Sequence, residues 1–155
     1  MASTFFDQTI PPFSLPMTSE KTFSLDNYHG KHLVIYFYPK DSTPGCTSES
    51  KDFRDLYSSF QAQDTEIIGI SRDSLKSHEK FKENLALPFE LASDTEEVAC
   101  KLFDVMKEKS MFGKKYMGIE RSTFLINPKG QVIKEWRKVK VTGHAKAVLK
   151  EISQG

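Results

Sequence analysis

The sequence predicts an α/β fold in which a mixed central sheet is covered by helices, with extra strands at the N-terminal end. Three observations carry the prediction. Apolar, β-branched runs of strand length recur along the chain, as suits strands buried on both faces. Between them lie stretches whose apolar residues repeat at helical spacing. Asn127-Pro128-Lys129-Gly130 separates two late strand-like runs by no more than a turn, which makes them a hairpin. At 155 residues, with no repeat, low-complexity stretch or linker, residues 1–155 read as one domain with room for a sizeable core.

In chain order, short strands are expected around Phe13 and Phe23. Leu33-Val34-Ile35-Tyr36-Phe37-Tyr38 is a β-branched and aromatic run that Pro39 ends. A helix follows in which Phe53, Leu56, Tyr57 and Phe60 fall at i, i+3, i+4 and i+7, with Glu49, Lys51, Asp52, Arg54 and Asp55 among the polar positions. Pro44 suits the first position of that helix, where no N–H partner is needed, so Cys46 falls in its first turn. Glu66-Ile67-Ile68-Gly69-Ile70-Ser71 reads as a second buried strand. A helix from about Ser74 to Leu85 carries Leu75, His78, Phe81 and Leu85 on one side, and Phe89-Glu90-Leu91-Ala92 is a short strand.

The segment from Ser93 to Phe103 reads as a helix opened by a Ser93-x-x-Glu96 capping box, with Val98, Ala99, Leu102 and Phe103 apolar and Cys100 at the flank. Lys107 to Lys115 is charged and contains glycine; it reads as a mobile loop whose Met111 and Phe112 edge a substrate pocket or a partner surface. Arg121-Ser122-Thr123-Phe124-Leu125-Ile126 and Gln131-Val132-Ile133-Lys134-Glu135-Trp136 are the strands of the late hairpin. Ala145, Val148, Leu149 and Ile152 mark a final helix. This β-α-β-α then β-β-α order is that of a thioredoxin-like three-layer sandwich.

Composition removes several function classes. The 22 Lys+Arg against 21 Asp+Glu leave a net charge of +1, with no bias toward nucleic acid or a membrane surface. Two cysteines are no disulfide scaffold, and without a Cys-x-x-Cys pair the chain does not read as a dithiol oxidoreductase. No apolar run approaches membrane-spanning length, and Met1-Ala2-Ser3-Thr4-Phe5-Phe6-Asp7 lacks the basic and long apolar regions of a secretory signal. A reducing cytoplasm is therefore the expected home. His29, His32, His78 and His144 are scattered; His29 and His32 lie beside a glycine turn and read as solvated residues rather than metal ligands.

Attention falls on Cys46. A free thiol ionises near 8.5, so only a few per cent is thiolate at neutral pH, and lowering such a group by about two units takes roughly 2.7 kcal/mol. A helix N-terminus supplies only about 0.3 to 1 kcal/mol, so a nearby cation must provide the rest. Arg121 is the candidate, although spacing alone does not place it beside Cys46. Singly, each residue has a plainer reading: Cys46 a buried inert thiol, Thr43 a helix cap, Pro39 a strand terminator and Arg121 half of a surface ion pair.

Taken together the residues carry a resemblance. Pro39-x-x-x-Thr43-x-x-Cys46 matches the peroxiredoxin active-site motif, and Tyr36 to Cys46 resembles the bacterioferritin-comigratory, or Q-type, branch. Gly30-Lys31, Thr47, Glu49, Gly113-Lys114 and Gly118-Ile119-x-Arg121-x-Thr123-Phe124-Leu125-Ile126 fit the same pattern, so the likeness spans nearly the whole chain. It implies that Cys46 is the peroxidatic cysteine, with Pro39, Thr43 and Arg121 forming its pocket. The implied reaction is attack of the Cys46 thiolate on a hydroperoxide oxygen, leaving a sulfenic acid and releasing water or an alcohol. Thr43 and Arg121 are the implied donors to the peroxide, and Pro39 shields the sulfur. No metal or organic cofactor is required, and the branch is often monomeric.

Many members of that branch carry a resolving cysteine five residues after the peroxidatic one, where this chain has Lys51. Cys100 is the other cysteine, either a resolving thiol or a half-buried small residue. Without a resolving partner in the chain the cycle is of the one-cysteine type, with thioredoxin, glutaredoxin or glutathione returning the sulfenic acid to thiol. Two functions stay open: a peroxidase acting on hydrogen peroxide and small organic hydroperoxides, and a redox sensor or thiol-transfer protein that signals through oxidised Cys46.

Overall fold

A computed structural model of the chain describes residues 10–154. Its first elements are β1 (Ser14–Met17), β2 (Lys21–Ser24) and β3 (His32–Phe37), followed by α1 (Pro44–Ala62), β4 (Thr65–Ser71), α2 (Leu75–Leu85) and β5 (Glu90–Ser93). Then come α3 (Val98–Leu102), β6 (Met106–Met111), β7 (Lys114–Ile119), β8 (Ser122–Ile126), β9 (Val132–Trp136) and α4 (His144–Gln154). Seven strands form one sheet in the order β2-β1-β5-β4-β3-β8-β9, while β6 and β7 pair only with each other. β3, β4 and β5 are parallel, and β8, β9, β1 and β2 join antiparallel, giving the mixed sheet expected. Met1–Asp7, the segment that lacks the pattern of a secretory signal, lies outside the described residues. Among those described, no helix is long and apolar enough to cross a membrane.

The pleat of β3 divides the interior. Leu33, Ile35 and Phe37 belong to one core, shared with Phe23, Phe103, Phe124 and the Ala99 and Cys100 side chains of α3. Val34, Tyr36 and Tyr38 belong to the other, closed by Phe53 and Phe60 of α1, Phe81 of α2 and Val148 and Ile152 of α4. Each fully buried aliphatic or aromatic side chain contributes about 1.5–3 kcal/mol, so a strand apolar on both faces ties the two layers together. Gly69 lies opposite Tyr36 on β4, and a Cβ there would sit 2.8 Å from the Tyr36 ring and from Leu91. The missing side chain lets Tyr36 lie across the sheet, where its hydroxyl meets Ser50 of α1 at 2.9 Å.

Two local expectations are corrected. Residues 107–115 are no mobile loop: β6 and β7 form a regular hairpin, Met106 opposite Ile119 through Met111 opposite Lys114. Its two-residue turn is Phe112-Gly113, with φ of 52° and 79°, the doubly left-handed turn that matches strand twist. The Ser93-x-x-Glu96 capping box does not form. Ser93 completes β5, paired with Ser71, and its hydroxyl donates to the Asp73 carbonyl at 2.6 Å. Sheet pairing takes the residue that local preference assigned to a cap. α3 therefore starts later, after Glu97 in a left-handed conformation (φ 62°), and the Asp94 carboxylate accepts from the Cys100 N–H at 2.7 Å.

Candidate active site

The loop that leaves β3 is built to present Cys46. Thr43 is the residue preceding α1, with extended backbone (φ −87°, ψ 154°), and Pro44 occupies the first helical position. Cys46 thus lies in the first turn, where backbone N–H groups lack intrahelical partners and the helix dipole favours negative charge. Its side chain is 1% exposed. Ser42, the residue before Thr43, is left-handed at φ 64°, an uncommon conformation for serine that the bonds on either side hold in place. The Asp41 N–H donates to the Asp73 carboxylate at 2.9 Å, and the Thr43 hydroxyl donates to the Lys40 carbonyl at 2.8 Å. That last bond differs from the expectation that Thr43 donates to a peroxide: its proton is committed to Lys40, and its oxygen is left as an acceptor.

Arg121 reaches the cysteine by strand pairing. β8 runs antiparallel to β3 with Ser122 opposite Phe37, so Arg121 sits at the end of β3 from which the cysteine loop departs. Its carbonyl is held by the Val139 N–H at 3.0 Å. One guanidinium nitrogen, Nη2, lies 3.4 Å from Cys46 Sγ, and the other, Nη1, donates to Glu49 Oε1 at 2.7 Å. Gly45 leaves room for this approach, since a Cβ there would stand 3.1 Å from Nη2. Burial works against the Arg121 charge, but Glu49 and Cys46 outweigh it and raise the guanidinium above its usual value. Pro39 is half-buried between β3 and the loop. Pro39, Thr43 and Cys46 therefore lie on the connection that leaves β3 and opens α1, and Arg121 is brought to it from just before the neighbouring strand β8.

Glu49 is the participant that residue patterning left without a role. It is 1% exposed, and burial pushes its carboxyl up to about 7 against the opposing pull of Arg121. Its second oxygen, Oε2, has no hydrogen-bond partner. The signal for it was a carboxylate three residues after Cys46, one turn further along the same helix face. Beneath the loop a second group was equally unforeseen. Asp41 is buried, accepts from the Tyr38 hydroxyl at 2.6 Å and from the Ser77 hydroxyl at 2.8 Å, and lies 2.7 Å from His78 Nδ1. His78 Nε2 is 3.0 Å from the Ala92 carbonyl. This network clamps the loop to α2 and β5. Asp41, Asp73 and His78 are close enough to hold a cation, but these protein bonds already account for them. Of the other histidines, His29 is exposed, whereas His144 is buried against Thr123 at 2.8 Å and held down to about 4 by burial and by Arg121.

Cys100 is placed differently. It is fully buried in the core on the opposite sheet face from Cys46, and burial, reinforced by the Asp94 carboxylate, pushes its thiol far above the usual range.

Comparison with known proteins identifies the family. The AhpC/TSA family model matches residues 6–135. The chain is 55% identical over 139 residues to Peroxiredoxin Bcp of Xanthomonas campestris pv. campestris, covering 88% of this chain and 87% of that one. Against Peroxiredoxin Bcp of Bacillus subtilis the identity is 53% over 150 residues, covering 95% and 96%. Among solved structures, Xanthomonas campestris peroxiredoxin Q matches with a TM-score of 0.88 at 51% identity, covering 92% of this chain and 90% of that one. A cysteine mutant of Xylella fastidiosa PrxQ matches at 0.91 with 39% identity, covering 99% and 96%. A further structure, of the Xanthomonas campestris bacterioferritin comigratory protein, is described in connection with its alkyl peroxide reduction activity. The chain belongs to the AhpC/TSA family, in its Bcp, or Q-type, peroxiredoxin branch.

Proposed function

We propose that the chain is a thiol-dependent peroxidase of the one-cysteine type, reducing hydrogen peroxide and organic hydroperoxides through Cys46. The observation that carries this reading is the single guanidinium shared between Cys46 Sγ and the buried Glu49 carboxylate. Alkyl peroxide reduction by the Xanthomonas campestris relative supports the same substrate class.

The Cys46 thiolate attacks the terminal, hydrogen-bearing oxygen of R–O–O–H; the S–O bond forms as the O–O bond breaks, the hydroperoxide proton passes to the departing alkoxide to give R–OH, and the Cys46 sulfenate takes a proton from water to become the sulfenic acid. Full ionisation of a thiol multiplies its reactive fraction only about thirty-fold, so stabilisation of the departing charge must supply the rest. Arg121 is the donor aimed at that charge, and one such group is worth about 10²–10³ in rate. Thr43 Oγ1 accepts from the peroxide O–H and orients it, since its own proton is held by Lys40. Pro39 excludes water from the sulfur, and Glu49 positions the guanidinium.

Two features support an external reductant. Lys51 stands where the branch often has its resolving thiol, and the sheet separates Cys46 from Cys100. The sulfenic acid and an external thiol condense to a mixed disulfide with loss of water, and a second thiol releases the Cys46 thiolate as the donor becomes a disulfide. Thioredoxin, glutaredoxin or glutathione fills that role in a reducing cytoplasm. The chain is taken to act as a monomer, as its branch often does. Steady-state peroxide consumption with each donor in turn is the test: sustained turnover with at least one is expected, whereas a single stoichiometric burst with all three would favour the redox sensor instead.

A further inference from the structure

The β6–β7 hairpin carries charge and apolar surface that neither the fold nor the peroxide step uses. Residues 106–119 hold four lysines against one glutamate, in a chain whose total is +1. The register distributes them unevenly. Lys107, Lys109 and Met111 share one face with Lys114 and Tyr116, and that face bears no carboxylate; Glu108 pairs with Lys115 on the other. Lys107 is matched by Asp104, but Lys109 and Lys114 have no ion-pair partner among the described residues.

The tip is equally unspent. Phe112 is 98% exposed, at the first position of a turn that demands positive φ and favours asparagine or glycine. A β-unbranched aromatic placed there costs conformational energy and packs against nothing, so its use lies outside the fold. Met111 and Tyr116 beside it are also exposed.

The hairpin adjoins the reactive sulfur. β7 leads within two residues into Arg121, the Glu120 N–H donates to the Val105 carbonyl at 2.7 Å, and the Lys109 stem lies over Gly118, where a Cβ would be 3.2 Å away. Lys109 shares the electrostatic environment of Arg121 and Cys46: burial, then Arg121, lowers its ammonium, while Cys46 opposes them.

We propose that the lysine-bearing face and Phe112 tip of this hairpin dock the protein reductant, a thiol protein with carboxylates around its reactive thiol and an apolar spot for the Phe112 ring. The inference rests on the one-cysteine peroxidase reading. A small thiol does not need such a surface: a six-residue strand spans roughly 17 Å at about 3.4 Å per residue, which is partner-protein scale. Charge steers the encounter and the exposed aromatic anchors it, holding the partner thiol over a nearly enclosed sulfur while the mixed disulfide forms.

The test separates the two half-reactions. Phe112→Asn suits the turn better than the native residue, and Lys114→Glu reverses a charge at the tip, so neither threatens the fold. In the double variant, kcat/KM for thioredoxin or glutaredoxin is expected to fall at least about tenfold. Lys114→Arg should retain wild-type values, and rising ionic strength should weaken the native pair. The burst of peroxide consumption without a donor, and turnover with dithiothreitol, should change less than about twofold. Equal losses with dithiothreitol, undiminished turnover with both proteins, or turnover supported by glutathione and by neither protein would overturn the proposal. A missing burst in the unmodified chain would instead strike the peroxidase reading itself.

Discussion

Cys46 and Cys100 are the same residue at nearly the same burial, 1% and 0% exposed, yet their surroundings point opposite ways. Cys46 opens a 19-residue helix and faces the Arg121 guanidinium. Cys100 sits in a five-residue helix whose entrance is organised by the Asp94 carboxylate, with the sheet between it and Arg121's partner sulfur. A neighbouring cation stabilises a thiolate, while a neighbouring anion compounds the cost of burying one. Burial by itself therefore does not distinguish the two thiols; the charge beside each does.

Substitutions around each cysteine test this difference. The largest effect is expected at the sulfur: Cys46→Ser should abolish donor-dependent peroxide consumption, while Cys100→Ser should stay within about twofold of the unmodified rate. Mass spectrometry after stoichiometric peroxide should find no Cys46–Cys100 linkage, and finding one would dissolve the contrast.

Next is the cation. Arg121→Gln should slow the peroxide burst by about 10²–10³, the loss typical of one donor to developing charge. Arg121→Lys should recover little, because a compact ammonium does not span both the sulfur and Glu49 as the planar fork does.

A smaller effect concerns how the cation is held. The Glu49 carboxyl is raised from its usual 4.5 to about 7, chiefly by burial. Between those values the unfolded chain has released the proton and the folded chain keeps it, so this group makes the fold less stable as pH rises through that window. Glu49→Gln should flatten that decline in urea unfolding followed from pH 5 to pH 7.5. A slope as steep in the variant as in the native chain would mean that Glu49 is not the group responsible.

The smallest predicted change lies beside Cys100. Asp94→Ala leaves the buried Cys100 N–H without its acceptor and should lower stability by about 1–3 kcal/mol, with the peroxide burst unchanged.

Much of this was legible in the residues, and its limits have physical causes. The buried strands and long helices followed from periodicity because β3, β4, α1 and α4 each display their pattern over a full element. The cysteine loop was readable for a related reason: Pro39, Thr43 and Cys46 act within one strand–turn–helix connection. Arg121 was legible as a candidate cation but not as a neighbour of Cys46, since 75 residues separate them and no local rule joins them. The hairpin at β6–β7 was hidden by its lysines, because a strand pair outside the main sheet need not alternate apolar with polar. The Ser93 cap failed because a parallel ladder to Ser71 outcompeted a local hydrogen bond.

Residue order sets which atoms are available: a thiol in the first turn of a helix, a hydroxyl and a proline at motif spacing before it, and no second thiol close in the chain. Those relations hold within a few bonds of backbone and survive any tertiary arrangement that keeps the helix. Which charge stands beside which thiol is settled by packing across the sheet. That choice depends on β8 pairing antiparallel with β3 and on β5 ending at Ser93, registers set by burial over the whole sheet rather than by residues near either cysteine.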